Sequence, residues 1–317
     1  MITGISIIIC CYNSASRLEN TIKHIALQKE VDFSFEVIVV DNNSTDNTAK
    51  IANDLFLIYK IENHKIVSEP KPGLTEARKC GVKSASYDIL IFCDDDNWLE
   101  ENYFINVIKG FESYPSAGIL GAWSVPSFDD GQIVPNWFYS IQNNFAVGNK
   151  PDTDKEVYHV WGAGLTIKKT IADQIFEEPF FFQDRNGNAL LGGGDYEICD
   201  KTIALGFKVY QLKALHFTHY ITSNRLNWDY VKRLYIGHGI QEMALIHNKY
   251  NKGNVRLLLA NSLLVIKYVI IKRKSFCKFM IKQKGALDVL PFYYRIGMFK
   301  YLISQLRASK HSKTTLI

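Results

Sequence analysis

The sequence predicts an α/β fold: a mostly parallel, doubly wound sheet flanked by helices, with a basic helical extension at its C-terminus. Three observations predict it. Apolar runs of strand length at residues 5–11, 35–40 and 89–93 each stop abruptly at polar residues, as strands buried on both faces do. Segments of helical character separate these runs, so strands and helices alternate. The charge is also unevenly placed. The chain carries +5 overall, but residues 249–317 hold 15 Lys/Arg against one acid, Asp288, for +14, which leaves −9 on residues 1–248. An acidic body with a basic, aliphatic tail points to an anionic surface.

At 317 residues and 47% apolar, the chain can bury one large core, or one core plus an appendage. Its six cysteines, Cys10, Cys11, Cys80, Cys93, Cys199 and Cys277, form no CxxC or other metal spacing. Free thiols in a reducing compartment are expected. No signal peptide is expected either, because the N-terminus enters a strand with no basic segment before it.

The first strand turns at Tyr12, Asn13 and Ser14 into a helix running to about residue 28. The second ends at Asp41 in a polar stretch, and a helix follows over 48–54. A third strand is expected over 60–67, then a loop that enters a helix at Leu74 and ends near residue 84. The central strand, 89–93, runs straight into Asp94, Asp95 and Asp96. Three adjacent carboxylates repel one another unless a cation neutralises them. A divalent metal, Mn2+ or Mg2+, is the simplest such cation, and it commonly shares its coordination with substrate phosphates. In open α/β sheets ligands collect beyond the carboxyl ends of the strands, where Asn13, Asp41 and Asp94 to Asp96 all fall. Asp41 can accept a hydrogen bond from a base N–H, and Arg78 can meet a phosphate or the charge of a metal site. Read singly, the acidic run is also a solvated turn or a helix cap, Asp41 a turn residue and Arg78 a surface helix residue.

The order SxIIxxYN, VVVDNxSTDxT, PGLxxARxxG and DDDNW resembles the nucleotide-sugar-binding half of the family 2 glycosyltransferases, densely over residues 5–100 and thinly to about 206. The resemblance implies a GT-A fold related to the Rossmann type. It implies that Cys10, Tyr12, Asn13 and Asp41 cradle the nucleoside. Arg78, Asp94 and Asp95 lie with the nucleotide, and Asp94 and Asp96 hold the metal as a DxD pair. Asp41-Asn42 stands where many relatives carry two acids, which leaves the nucleotide open.

Downstream, a helix is expected over 100–118 and a strand over 119–125. Trp137, Phe138, Tyr139 and Phe145 read as sugar platforms or as core. Residues 157–166 read as strand, glycine turn and strand, with Gly162 and Gly164 open to close approach and Trp161 at the edge. In LGGGDYEICD, three glycines deliver Asp195 into open space before a helix. Inverting transfer needs one carboxylate to take the acceptor's proton. The family's G-x-D-x-E pattern places Asp195 in that role, with Glu197 orienting it or contacting acceptor; a helix cap is the plain alternative. A strand is expected over 205–212, and a helix over 225–238. Beyond that strand, His216 and His219 are both candidates for a further metal ligand.

Residues 255–271 are apolar but interrupted by Arg256, Asn261 and Lys267, short for a membrane span and followed by Lys272, Arg273 and Lys274. They read as amphipathic helices in a membrane interface, the alternatives being a short span or a helical cap. Nucleic acid is excluded as a partner because long aliphatic runs interleave the cations. The expected division is 1–220 catalytic, with a nucleotide half 1–100 and an acceptor half 101–220, and 221–317 helical. The expected activity is metal-assisted, inverting sugar transfer from a nucleoside diphosphate, UDP foremost, to a hydroxyl of a saccharide or lipid-linked glycan. The expected site is cytoplasmic, peripheral on the inner face of the membrane. The rivals are a sugar-phosphate nucleotidyltransferase and an inactive membrane-bound glycan-binding protein.

Overall fold

The computed structural model describes residues 2–29, 33–182, 184–185, 190–250 and 254–314. In chain order the elements begin β1 (Gly4–Cys11), α1 (Leu18–Ala26), β2 (Ser34–Asp41), α2 (Thr48–Ile58), β3 (His64–Ser68) and α3 (Leu74–Ser84). Next come β4 (Ile89–Asp94), β5 (Asn97–Leu99), α4 (Tyr103–Ser113), β6 (Ala117–Ser127) and α5 (Trp137–Ile141). Then follow β7 (Lys155–Val157), β8 (Leu165–Lys168), α6 (Lys169–Glu177), α7 (Gly194–Ala204) and β9 (Lys208–Tyr220). The chain ends in α8 (Trp228–Tyr250), α9 (Asn254–Ile271), α10 (Arg273–Met280) and α11 (Leu290–Thr314).

Two compact units result. The first comprises Met1–Gly131, Gln142–Gly187 and Gly193–Ile221; the second comprises Gln132–Ile141, Asn188–Gly192 and Thr222–Ile317. Two short segments from the stretch expected to be catalytic group with the helical unit.

The first unit holds one sheet in the order β3-β2-β1-β4-β8-β6-β9-β5, with β7 paired to β9. Strands β3, β2, β1 and β4 are parallel neighbours, as are β6 and β9, while β8 runs antiparallel between β4 and β6. The sequence periodicity explains why this sheet is covered on both faces. Ile5, Ile7 and Ile9 of β1 join Val37, Val39, Ile89 and Ile91 in one core, with Leu18, Ile22 and Phe104 from the helices. Ile8 joins Ile38, Val40, Leu90 and Phe92 in the other, with Ala77 and Ile171. Residues one apart on a strand face opposite ways, so an unbroken apolar run feeds both layers. The register sets Cys10 opposite Asp94 and Cys11 opposite Asp41, which brings the three strand ends level.

Several expected boundaries move, each for a local reason. The third strand starts at His64 because Lys60 adopts a left-handed φ of 55° and Ile61 N–H closes onto the Phe56 carbonyl. The helix expected over 100–118 stops at Ser113, since Pro115 disfavours helical geometry at Tyr114. The residues after it form β6. The last strand, expected over 205–212, runs from Lys208 to Tyr220 and carries both His216 and His219.

In the second unit α8 and α11 cross at glycines. A Cβ on Gly239 would lie 1.8 Å from the Tyr294 carbonyl oxygen, and one on Gly297 would lie 2.0 Å from that of Ile236. Any side chain at either position forces the two backbones apart, because a carbonyl cannot rotate away as a flexible side chain can. A Cβ on Gly237 would likewise meet the Leu190 carbonyl oxygen, at 2.0 Å. Trp137 packs its edge on Trp228, with ring centres 5.9 Å apart. Of the aromatic cluster considered as a sugar platform, Phe138 and Phe145 are core and Tyr139 is exposed. Among the described residues no helix is long and apolar enough to cross a membrane. Leu263, Leu264, Ile266, Ile270 and Ile271 of α9 are nonetheless exposed, as are Met280 and Ile281.

Candidate active site

The site is built at the carboxyl ends of β1, β2 and β4, all within the first unit. After β1 the chain turns at Asn13, which takes a left-handed φ of 50°. That turn is braced against the loop after β2: Asn13 N–H donates to the Ser44 hydroxyl at 3.0 Å, and Thr45 N–H donates to Asn13 Oδ1 at 2.8 Å. Asp41 accepts the Ser44 N–H at 3.1 Å. Tyr12 is exposed beside this junction, and burial pushes the Cys10 thiol up to about 12, so it stays protonated. Asn42 is buried and stitches in the loop before α3. Its amide donates to the Glu69 and Lys71 carbonyls at 3.0 and 2.7 Å, and its Oδ1 accepts the Gly73 N–H at 2.8 Å. The Asn42 side chain therefore braces the loop that leads into the helix carrying Arg78.

The three adjacent aspartates separate into three environments. Asp94 ends β4, partly exposed and level with Cys10. Asp95 turns inward, accepting from the Ser14 hydroxyl and from Arg17 Nη2 at 2.5 Å. Burial pushes its carboxyl up, against the pull of Arg17. Asp96 is 2% exposed, with Oδ1 3.4 Å from His219 Nε2, and its carbonyl accepts the Tyr220 N–H at 2.9 Å. The two histidine candidates are thereby told apart. They lie three apart on β9, an odd spacing, so they face opposite sides of the strand. His219 pairs in register with Asn97 and meets Asp96. His216 stacks on Trp123, ring centres 4.8 Å apart, where burial pushes its pKa down.

Arg78 is not a surface residue. It is 4% exposed, and its Nη1 lies 3.3 Å from Asp184 Oδ2. Burial opposes its charge, but the carboxylates of Asp184, Asp94 and Asp195 outweigh burial and hold its pKa above the ordinary value. Among the described contacts the guanidinium pairs directly with Asp184, in the loop before α7. Asp195 sits in the first turn of α7, where Gly193 supplies a left-handed φ of 117°. Its Oδ2 accepts the Gly162 N–H at 3.3 Å and its Oδ1 the Tyr196 N–H at 2.9 Å. Tyr196 stacks on His159, ring centres 4.3 Å apart. Glu197 does not turn to Asp195: it is buried, accepts the Phe181 and Phe182 N–H groups at about 2.9 Å and pairs with Lys201 at 3.3 Å.

Sequence reasoning missed Asp184, for which no motif signals a role. It also left the choice between the histidines to the register. For a metal, no group of three or more His, Cys, Asp or Glu gathers into a ready-made cage among the described residues. Asp96 and His219 meet, one hard carboxylate and one imidazole, and Asp94 ends β4 two positions before Asp96. Oxygen and imidazole ligands suit Mn2+ or Mg2+ ions, which commonly complete their shell with substrate phosphates.

The family model described as "Glycosyl transferase family 2" matches residues 6–176. Among curated proteins, the chain is 31% identical over 122 residues to poly-beta-1,6-N-acetyl-D-glucosamine synthase of Staphylococcus aureus, covering 37% of this chain and 27% of the relative. It is 25% identical over 143 residues to glycosyltransferase GlyG of Streptococcus pneumoniae, covering 45% of this chain and 46% of the relative. The chain therefore spans less than half the length of either. Among solved structures, GalNAc-T7 with UDP, GalNAc and Mn2+ superposes with a TM-score of 0.55 at 15% identity, over 77% of this chain and 51% of that one. S. aureus TarS 1-349 superposes with a TM-score of 0.51 at 15% identity, over 94% and 90%. At such identities the likeness is one of fold.

Proposed function

The chain belongs to glycosyl transferase family 2 and is a glycosyltransferase of the GT-A fold, and from that premise we propose that it moves a sugar from UDP to a hydroxyl of a saccharide or lipid-linked glycan, with inversion. The observation that carries this reading is the shared guanidinium. Asp94, from the acidic strand end, and Asp195, from the glycine turn 101 positions later, both act on Arg78. Charges that both favour the ionised guanidinium support a reading in which Asp94 and Asp195 serve one crevice with separate duties.

The chemistry follows from the residue types. Asp195 takes the proton of the acceptor hydroxyl as that oxygen forms its bond to the anomeric carbon. The bond from that carbon to the diphosphate oxygen breaks, and UDP leaves with the electron pair. One base acting from one side favours in-line displacement and therefore inversion. Asp94, Asp96 and His219 are the residues that would hold Mn2+ or Mg2+, which when bound supplies Lewis-acid stabilisation of the leaving diphosphate. The turn at Tyr12 and Asn13, with Cys10 and Asp41, forms the nucleoside side of the crevice. The UDP and Mn2+ in the GalNAc-T7 structure, which shares the fold, fit this choice of donor and ion. The nucleotidyltransferase rival loses its ground with the family match, and intact Asp94, Asp96 and Asp195 weigh against the inactive binding protein.

Donor-panel turnover tests the reading. Incubated with UDP-, GDP-, dTDP- and CDP-sugars, Mn2+ and β-linked N-acetylglucosamine oligosaccharides, the protein releases nucleoside diphosphate from a UDP-sugar. Equal inertness toward all four would overturn it.

The basic unit supports a peripheral position on an anionic membrane, on the cytoplasmic side. The exposed aliphatics of α9 stand among Lys267, Lys272, Arg273 and Lys274, all exposed. Aliphatic side chains that seat at the acyl boundary with cations at the headgroups make an interfacial anchor. The protein should sediment with phosphatidylglycerol vesicles and not with phosphatidylcholine vesicles, and high salt should weaken that binding. Equal binding to both lipids, or to neither, removes the proposal.

A further inference from the structure

Asp184 lies in no helix or strand and in no recognisable motif, yet it is 6% exposed and both of its carboxylate oxygens are engaged. Its Oδ1 accepts the N–H of Gly194, the first residue of α7, at 2.9 Å, and its Oδ2 lies 3.3 Å from Arg78 Nη1. The neighbouring Arg185 carbonyl accepts the N–H of Leu74, the first residue of the helix that carries Arg78, at 3.1 Å. Residues 184 and 185 therefore pin the starts of two helices, one bearing Arg78 and the other Asp195.

The glycines around this carboxylate leave it no freedom. A Cβ on Gly194 would lie 2.0 Å from Asp184 Oδ2, and a Cβ on Gly162 would lie 2.3 Å from Arg78 Nη2. Gly162 in turn donates its N–H to Asp195 Oδ2 at 3.3 Å. Two routes thus run from Asp184 to Asp195. One passes through Gly194, its chain neighbour. The other passes through the Arg78 guanidinium, packed on Gly162. We infer that Asp184 is a positioning residue: its carboxylate holds the guanidinium of Arg78 off the base Asp195 and fixes the turn that presents that base. This rests on the reading of Asp195 as the base.

The physical reason is competition. A buried guanidinium seeks a carboxylate, and a buried charge that loses its partner is costly. Asp184, Asp94 and Asp195 are the carboxylates whose field Arg78 feels. Without the charge of Asp184, Arg78 turns to Asp195, whose partner Gly162 it already packs on, and engages the base that the reaction needs. A plain capping role would behave differently. An amide oxygen accepts the Gly194 N–H as well as a carboxylate does, so Asp184→Asn would be silent.

The test uses the full chain and the UDP-sugar that the wild type turns over fastest. Sites are counted by calorimetry with UDP and Mn2+, so turnover is expressed per folded site. Asp184→Asn should lower kcat at least about tenfold, with donor KM and UDP Kd held within about threefold, since the loss lies in alignment and not in donor binding. A kcat within threefold of wild type overturns the inference, as does a loss that appears wholly in KM. Because Asp184→Asn strands a buried cation, Arg78→Gln and the double variant are measured beside it. If Asp184 acts through Arg78, adding Asp184→Asn to Arg78→Gln costs less than about threefold; a full multiplied loss overturns it. The double variant has no stranded charge, and the comparison with Arg78→Gln decides even if Asp184→Asn does not fold. Asp195→Asn serves as benchmark. If it turns over like wild type, the assignment of the base fails; if it is dead while Asp184→Asn is unimpaired, only the role of Asp184 fails.

Discussion

Asp195→Asn abolishes sugar transfer, by about 10³-fold in kcat, and leaves UDP binding in the presence of Mn2+ unchanged. The magnitude follows from the role: a positioned general base contributes roughly 10²–10⁴-fold. Asparagine has the same shape, and its amide oxygen keeps one of the two N–H groups, of Gly162 and Tyr196, that the separate carboxylate oxygens accept. What it lacks is the capacity to take a proton. The proposed donor side of the crevice, at Cys10 to Asn13 and Asp41, belongs to other strand ends, so the substitution leaves it untouched. UDP release from a UDP-sugar, set beside calorimetry with UDP, separates the two effects. A variant within tenfold of wild type shows that another group takes the proton, and a variant that also loses UDP shows that Asp195 belongs to the donor site.

Asp96→Asn has the second large effect, and it acts on the donor. It should weaken Mn2+-dependent binding of UDP by at least about tenfold and transfer by about 10³-fold. The carboxylate is almost fully enclosed beside His219. An amide at this position offers the ion a weaker, neutral ligand. A site completed by diphosphate oxygens has few protein ligands to spare, so losing one removes both affinity and the stabilisation of the leaving group. Calorimetry with UDP at saturating Mn2+ and after chelation checks this. Binding indifferent to both the substitution and the metal would contradict the DxD assignment.

How much of this was legible before the fold was seen depends on the range of the contacts. The parallel strands β1, β2 and β4 were legible because each is a run of apolar residues covered on both faces and cut off by polar ones. Asp94 and Asp96 stood out because like charges crowd there, and Asp195 because glycines precede it. All of these are local signals. Asp184 carries none: its partners Arg78 and Gly194 lie 106 and 10 residues away, and only the fold brings them together. The three-residue β5 was not expected, because so short a segment shows no period. The choice of His219 over His216 needed the register of β9 against β5. The role of Glu197 needed the backbone of Phe181 and Phe182, which no spacing in the sequence relates to it.

The central claim is that the crevice at the ends of β1, β2 and β4 takes a nucleoside diphosphate through a divalent ion. The most direct measurement is the thermal unfolding midpoint of the wild-type protein with UDP, GDP, dTDP or CDP, each with and without Mn2+. A ligand of the folded state stabilises by mass action, by about 2.7 kcal/mol at a hundred times its Kd. The account predicts a rise with UDP that requires Mn2+ and is absent with the other three. No rise with any nucleotide, or an equal rise without the metal, would contradict it.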